Sequence, residues 1–315
     1  MPDIMEIPSF RRDYKDDLHF SCVSGCGKCC NSPPELSLLD GFRYFRDFPL
    51  TATITVIRDD SSEDSQAKRW LDLGGVEFKS KFQKFVAYST FTPLYRRGLR
   101  RCPMLTDEMS CSIYERRPDI CKAVPVRVSS PCVLRRQIME ARLLDDVKTR
   151  GYLCDLSADA PILFRGRELN PESGAGKGML SCEDDYSKTG FISYGIVSGF
   201  LGSISIEQHD FSSGFVVFEV PVPAIFVYAI SFYLNIVAKD NGELTKKAFP
   251  ESVVSLLSSA DYTEIRSAQM SLLKNLIADS LAAKDRDDRP GTALARSTLA
   301  VWEKAPDFPD ELAGK

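Results

Sequence analysis

The spacing of apolar and polar positions changes several times along the chain, and each change predicts an element. Ser37-Leu38-Leu39-Asp40 sets a hydroxyl before an apolar run, with a carboxylate three residues on, the pattern of a capped helix start. Leu38, Leu39, Phe42 and Phe45 then share one helical face, which predicts a helix through about Phe48. Thr51–Arg58 (TATITVIR) is rich in β-branched residues and predicts a strand. A strand–turn–strand is expected around Leu73-Gly74-Gly75. Leu134, Ile138, Ala141, Leu144 and Val147 keep helical spacing within Val133–Arg150. Residues 151–190 read as loop, and the short apolar runs of Phe191–Val220 read as strands. Asp261 and Glu264 cap a last helix, whose apolar positions Ile265, Ala268, Leu272, Leu276 and Ile277 continue to about Ala283. Lys284–Lys315 is charged and proline-containing and reads as a loosely attached polar tail anchored by Trp302.

Two stretches need a choice between readings. Val220–Ala238 has no charge over nineteen residues, close to the length of a membrane span. Pro221 and Pro223 stand at its start, Asn235 lies inside it, and FVVFEV before it looks like a strand. The better reading is strand, proline turn and buried helix from about Ala224, with no membrane span. Ser173-Gly174-Ala175-Gly176-Lys177-Gly178 looks superficially like a phosphate loop. That motif needs Gly at 171 and Ser or Thr at 178, where this chain has Pro171 and Gly178. It is read as a flexible turn.

The mixture of helices and short strands gives an α+β fold. Three parts are expected: a cysteine-rich domain over 1–150, an α+β extension over 151–283, and the tail over 284–315. The length of 315 residues allows a large core, so neither disulfides nor metal are needed merely to fold. Apolar residues are 43% and charged residues 27% of the chain, a globular profile. A formal charge of −4 argues against a nucleic-acid partner bound by bulk charge, although Tyr95–Arg101 is locally basic. The opening MPDIMEIPSFRRDYKDD has no apolar core and no small-residue cleavage site, which points to the cytoplasm. In a reducing compartment, ten cysteines are metal ligands or reactive thiols before they are disulfides.

Four of these lie in FSCVSGCGKCC: Cys22, Cys26, Cys29 and Cys30. Gly25 and Gly27 permit the tight turns that wrap thiolates around a centre. Lys28 sets a positive charge beside them, which lowers thiol pKa values. A second zone supplies Cys102, Cys111 and Cys121, then Cys132. These are too far apart for one loop chelate and must be brought to the first group by the fold, with Pro103, Pro118 and Pro125 stiffening the chain. Arg116 and Arg117 offer guanidinium donors to a carboxylate, a phosphate or an anionic cluster. Cys154 and Cys182 read as structural core thiols. His19 and His209 are the only histidines; His19 is a candidate substitute ligand, more simply read as a lead-in loop residue.

Taken in order, FSCVSGCGKCC, CPML and CSIYERRPDICKAVP resemble the YkgJ-type cysteine-cluster proteins, a bacterial family with a CxxCxxCC-type domain associated with zinc or iron chelation. The resemblance covers about residues 18–130 and implies metal ligands at Cys22, Cys26, Cys29, Cys30, Cys102, Cys111 and Cys121. The first gap is three residues here rather than two. A fainter resemblance, through the lead Pro8-Ser9-Phe10, is to flagellin lysine N-methylases.

The thiol count suits two zinc ions or an iron–sulfur cluster. Adjacent Cys29 and Cys30 point in different directions, which favours a centre of more than one metal atom. Cys22-x3-Cys26-x2-Cys29 also has the spacing of a radical-SAM loop, which keeps S-adenosylmethionine as an alternative cofactor. Against it stand Lys28, the extra Cys30 and the lack of a barrel pattern. Three functions follow: a metal-binding protein, a protein-modifying enzyme, or an interaction module stapled by zinc. The partners are accordingly the metal or cluster and a protein partner or protein substrate.

Overall fold

The computed structural model describes residues 16–23, 25–31, 33–62, 65–81, 83–94, 102–126, 136, 139–140, 151, 153–202, 204–239, 250–282 and 289–305. The elements in chain order are β1 (Leu18–His19), β2 (Ser21–Cys22), a 3-10 turn (Lys28–Asn31), α1 (Leu38–Tyr44), β3 (Leu50–Arg58), α2 (Gln66–Asp72), β4 (Val76–Ser80), β5 (Gln83–Pro93), α3 (Asp119–Lys122), β6 (Cys154–Asp155), β7 (Ile162–Arg165), β8 (Glu168–Leu169), α4 (Gly174–Leu201), β9 (Phe215–Val220), α5 (Val222–Lys239), α6 (Glu251–Ser258), α7 (Tyr262–Ala282) and α8 (Arg289–Lys304). The fold is α+β. The helix predicted over 133–150, Cys132 and the basic run Tyr95–Arg101 fall largely or wholly outside the described residues.

The central sheet is antiparallel, in the order β4-β5-β3-β9. Its two inner strands are buried on both faces, so their hydrophobic positions run almost continuously instead of alternating. Successive residues feed different cores. Val56, Phe85 and Ala87 face one, with α1, α5, α6, α7 and α8. Ile57, Val86 and Tyr88 face the other, with Trp70 of α2 and Met179, Cys182 and Tyr186 of α4. Two small antiparallel sheets lie outside the main one: β1-β7-β8 and β2-β6.

Several elements agree with the sequence pattern. Ser37 caps α1, its Oγ accepting the Asp40 N–H at 3.0 Å, and Leu38, Leu39, Phe42 and Phe45 are all buried. The uncharged stretch is a strand followed by a helix, and among the described residues no helix is long and apolar enough to cross a membrane. Val222, Ile225, Phe226, Ala229, Ile230 and Tyr233 form its buried stripe.

Others differ. Leu73-Gly74-Gly75 joins a helix to a strand, with Gly74 at φ +89°. Residues 174–201, read as loop and then strand, are one helix of 28 residues. Ser173 caps it, accepting the Gly176 N–H at 2.9 Å. Its glycines are sites of close packing: a Cβ on Gly178 would lie 2.7 Å from the Ala123 nitrogen and from the Lys122 Cβ. This contact seats α4 against α3. The helical period was obscured because α4 buries Met179 and Tyr186 in one core and Ile192 and Val197 in the other. In the stretch read as a loose tail, α8 packs on α7 and buries Trp302 completely.

Two polar contacts tie distant parts together. Gln269 of α7 is fully buried; its amide donates to the Phe45 and Phe48 carbonyls at 2.6 and 2.8 Å and accepts the Leu50 N–H at 2.8 Å. It holds the link between α1 and β3. Arg43 joins α1 to α4 by pairing with Asp185, which also accepts from Ser37 Oγ at 3.3 Å, and with Asp40 at 3.2 Å. Burial pushes the Asp40 carboxyl up to about 7, outweighing the attraction of Arg43.

Replacing Gln269 by Leu strands two carbonyls and an N–H in the core. A loss on the order of 3 kcal/mol is expected, read as a lower urea midpoint. Native Asp40 binds its proton more tightly than the unfolded chain, so its contribution to stability falls as pH rises from about 4 to about 7. Asp40→Asn should remove that decline, checked by melting temperature across this range.

Candidate metal centre

The first cysteine loop is shaped by its glycines. Gly25 and Gly27 have φ of +77° and +57°, in the left-handed region that favours glycine. They turn the chain from β2 into the 3-10 turn that carries Cys29 and Cys30. Gly27 also lets the second zone approach: a Cβ there would lie 2.7 Å from Met109 Cε. That zone folds back on itself through a bridge between Leu105 and Cys111. The Cys102 N–H donates to the Cys30 carbonyl at 2.8 Å, so the two cysteine zones are joined through their backbones. Within this zone Pro118 starts α3, where its carbonyl accepts the Cys121 N–H at 2.9 Å.

A third segment arrives from far along the chain. β6 pairs with β2 so that Cys154 is directly opposite Cys22. Next to it, the Leu153 N–H donates to Cys26 Sγ at 3.2 Å. Cys22, Cys26, Cys29, Cys30, Cys102, Cys111, Cys121 and Cys154 all line one cavity of about 570 Å³. Arg117 and Ile113 stand among the thiols, and Trp70, Tyr88 and Tyr186 form part of another wall. None of the nine described cysteines is in a disulfide. Among the described residues, no three Cys, His, Asp or Glu side chains are gathered tightly enough to hold a single metal ion. The thiols ring a space instead of converging on a point.

Their protonation is uneven. Cys29 is held low, at about 6, first by the hydrogen bond from Cys30 and then by the Arg117 guanidinium, against burial. Cys30 is pushed up, since it donates that bond and is itself desolvated beside Cys29 and Cys102. Burial pushes Cys121 up, helped by Cys102 and Cys29, and burial likewise raises Cys22. The cation acting on these thiols is Arg117, one of the two arginines that the sequence offered to an anionic cluster. Arg117 lies over the Tyr114 ring at 4.1 Å. Arg116 turns away and clamps the Asp47 carboxylate with two bonds of 2.7 Å. His19 has Nδ1 2.6 Å from the Ala160 carbonyl, and His209 packs edge-on against Phe218. Cys182 is buried in the core beside Met179, as a structural thiol.

Residues 21–142 match the model of the family designated CxxCxxCC, described as "Putative zinc- or iron-chelating domain". This segment belongs to that family. The match spans under half of the chain and ends before Cys154. No curated protein and no solved structure matches the chain. The donor set suits the description, because soft thiolates with few nitrogen or oxygen competitors are the ligands of zinc and of iron–sulfur centres. Zinc or iron chelation by this CxxCxxCC domain is thus the coarse function. Cys154 escaped the sequence reading because its neighbours in YLCDL are apolar. Only the pairing of β6 with β2 reveals its position.

In metal-free protein, Cys29 should react with iodoacetamide ahead of Cys30 at pH 7, since the thiolate is the nucleophile. Cys30→Ala removes the bond that lowers Cys29 and should slow Cys29 labelling several-fold, measured by peptide mass spectrometry.

Proposed function

We propose that the chain holds a polynuclear metal centre, an iron–sulfur cluster or a pair of zinc ions, through Cys22, Cys26, Cys29, Cys30, Cys102, Cys111 and Cys121. The observation that carries this reading is that all seven line one cavity although they come from separate segments. Seven thiols exceed the four that one tetrahedral ion takes, which favours more than one metal atom. When bound, the metal supplies Lewis acidity or, as a cluster, electron transfer. Arg117 offsets part of the thiolate charge.

The cavity is larger than the thiols need, which favours a second reading. An enzyme would bind a small organic cofactor or substrate side chain between the centre and the wall of Trp70, Tyr88 and Tyr186. S-adenosylmethionine and a protein lysine are the candidates, tested by calorimetric titration of S-adenosylmethionine into loaded protein; no heat change would remove that cofactor.

Purification without oxygen, followed by an absorption spectrum and metal and sulfide analysis, tests the first reading. Brown protein with iron and acid-labile sulfide is the expected result for a cluster, and colourless protein with two zincs for the pair. Absence of both metals would sink the proposal. Because burial raises Cys22 and Cys121, and the hydrogen bond to Cys29 followed by burial raises Cys30, zinc uptake must expel their protons. Affinity should therefore rise with pH between 6 and 8, and calorimetry in buffers of different ionisation enthalpy should count more than one proton released per zinc.

A further inference from the structure

We infer that Cys154 is an eighth thiolate of the centre, which is thus closed by a strand lying beyond the family-matched segment. The inference rests on the metal-binding reading above and extends its ligand set.

Three observations converge on this residue. In the β2–β6 ladder Cys154 is the direct partner of Cys22. Directly opposed residues of an antiparallel pair send their side chains to the same face, with Cα atoms about 4.5–5.5 Å apart. Whatever Cys22 faces, Cys154 faces. Second, the strand is pinned at this register by a contact to another candidate ligand, the 3.2 Å bond from the Leu153 N–H to Cys26 Sγ. Backbone donors to sulfur are the usual support of a metal-bound thiolate. Third, Cys154 lines the same cavity as the other seven, whereas Cys182 lies in the apolar core and outside that lining. His19, the substitute ligand suggested by sequence, has its Nδ1 against a backbone carbonyl.

The count has a chemical meaning. Eight thiolates satisfy two four-coordinate metal sites without any histidine, which fits a chain with two histidines, neither in the cavity lining. Ligation is not a redox step here. The Cys154 thiol gives its proton to solvent and its sulfur lone pair to a zinc ion or a cluster iron.

The test compares wild type, Cys154→Ser and Cys182→Ser, each purified without oxygen and reconstituted with zinc alone or with ferrous iron and sulfide. Metal per chain should fall to about half in Cys154→Ser, one of two four-thiolate sites being broken. It should be unchanged in Cys182→Ser. Iodoacetamide footprinting of wild type guards against a folding defect in the variant: Cys154 should be protected in loaded protein and labelled after chelation. Equal metal content and equal labelling would overturn the inference while leaving the seven-cysteine centre standing. Wild type that takes up neither metal would overturn both. A Cys22–Cys154 disulfide in loaded protein would also overturn it, since opposed β residues lie within disulfide reach.

Discussion

The cysteine centre depends on one kind of contact, backbone hydrogen bonding between segments that each carry thiols. The Cys102 N–H to Cys30 carbonyl bond joins the first two segments, and the β2–β6 ladder joins the third. Without them the thiols would move apart, because gathering buried groups that ionise to the same charge is unfavourable. The upward shifts of Cys22, Cys30 and Cys121 express that cost. Burial keeps Cys22 and Cys121 above the ordinary thiol range, while Cys30 and then Arg117 hold Cys29 below it. A thiophilic cation would replace the protons and relieve the same repulsion, so site and metal are complementary in charge as well as in softness.

The rest of the chain serves these segments from behind. Cys121 sits on α3, whose position is set by the glycine face of α4. α4 in turn is joined to α1 by the Arg43–Asp185 pair. The corner between α1 and β3 is held by Gln269, from a helix more than two hundred residues further on. The C-terminal helices thus stabilise the frame that carries the cysteine segments without contributing described donors to the cavity.

What could be read in the sequence was whatever has a local cause. Ser37 caps a helix because its hydroxyl reaches an N–H three residues on, and that spacing is visible in the letters. β3 was visible in its β-branched run, and the turns at Gly25 and Gly27 in glycine itself. α4 was not, since it faces two cores in turn and begins with glycines that usually signal loops. Gln269 was hidden because a polar residue at a core position follows no hydrophobic period. Arg117 was legible as a donor to an anionic cluster, but which thiols it acts on, Cys22, Cys29 and Cys121, depends on the fold. Cys154 needed knowledge of strand pairing, a contact across 132 residues that no spacing rule encodes.

The adjacent pair Cys29 and Cys30 shows how unequal two neighbouring thiols of the site are. Cys29 is held below the ordinary thiol range, first by Cys30 and then by Arg117, while Cys30 is pushed above it. Both must become thiolates to bind metal, whether one ion or two, and the proton is harder to remove from Cys30 than from Cys29. The 3-10 turn sets both thiols on the wall of one cavity, where a shared ion or two neighbouring ones would meet them.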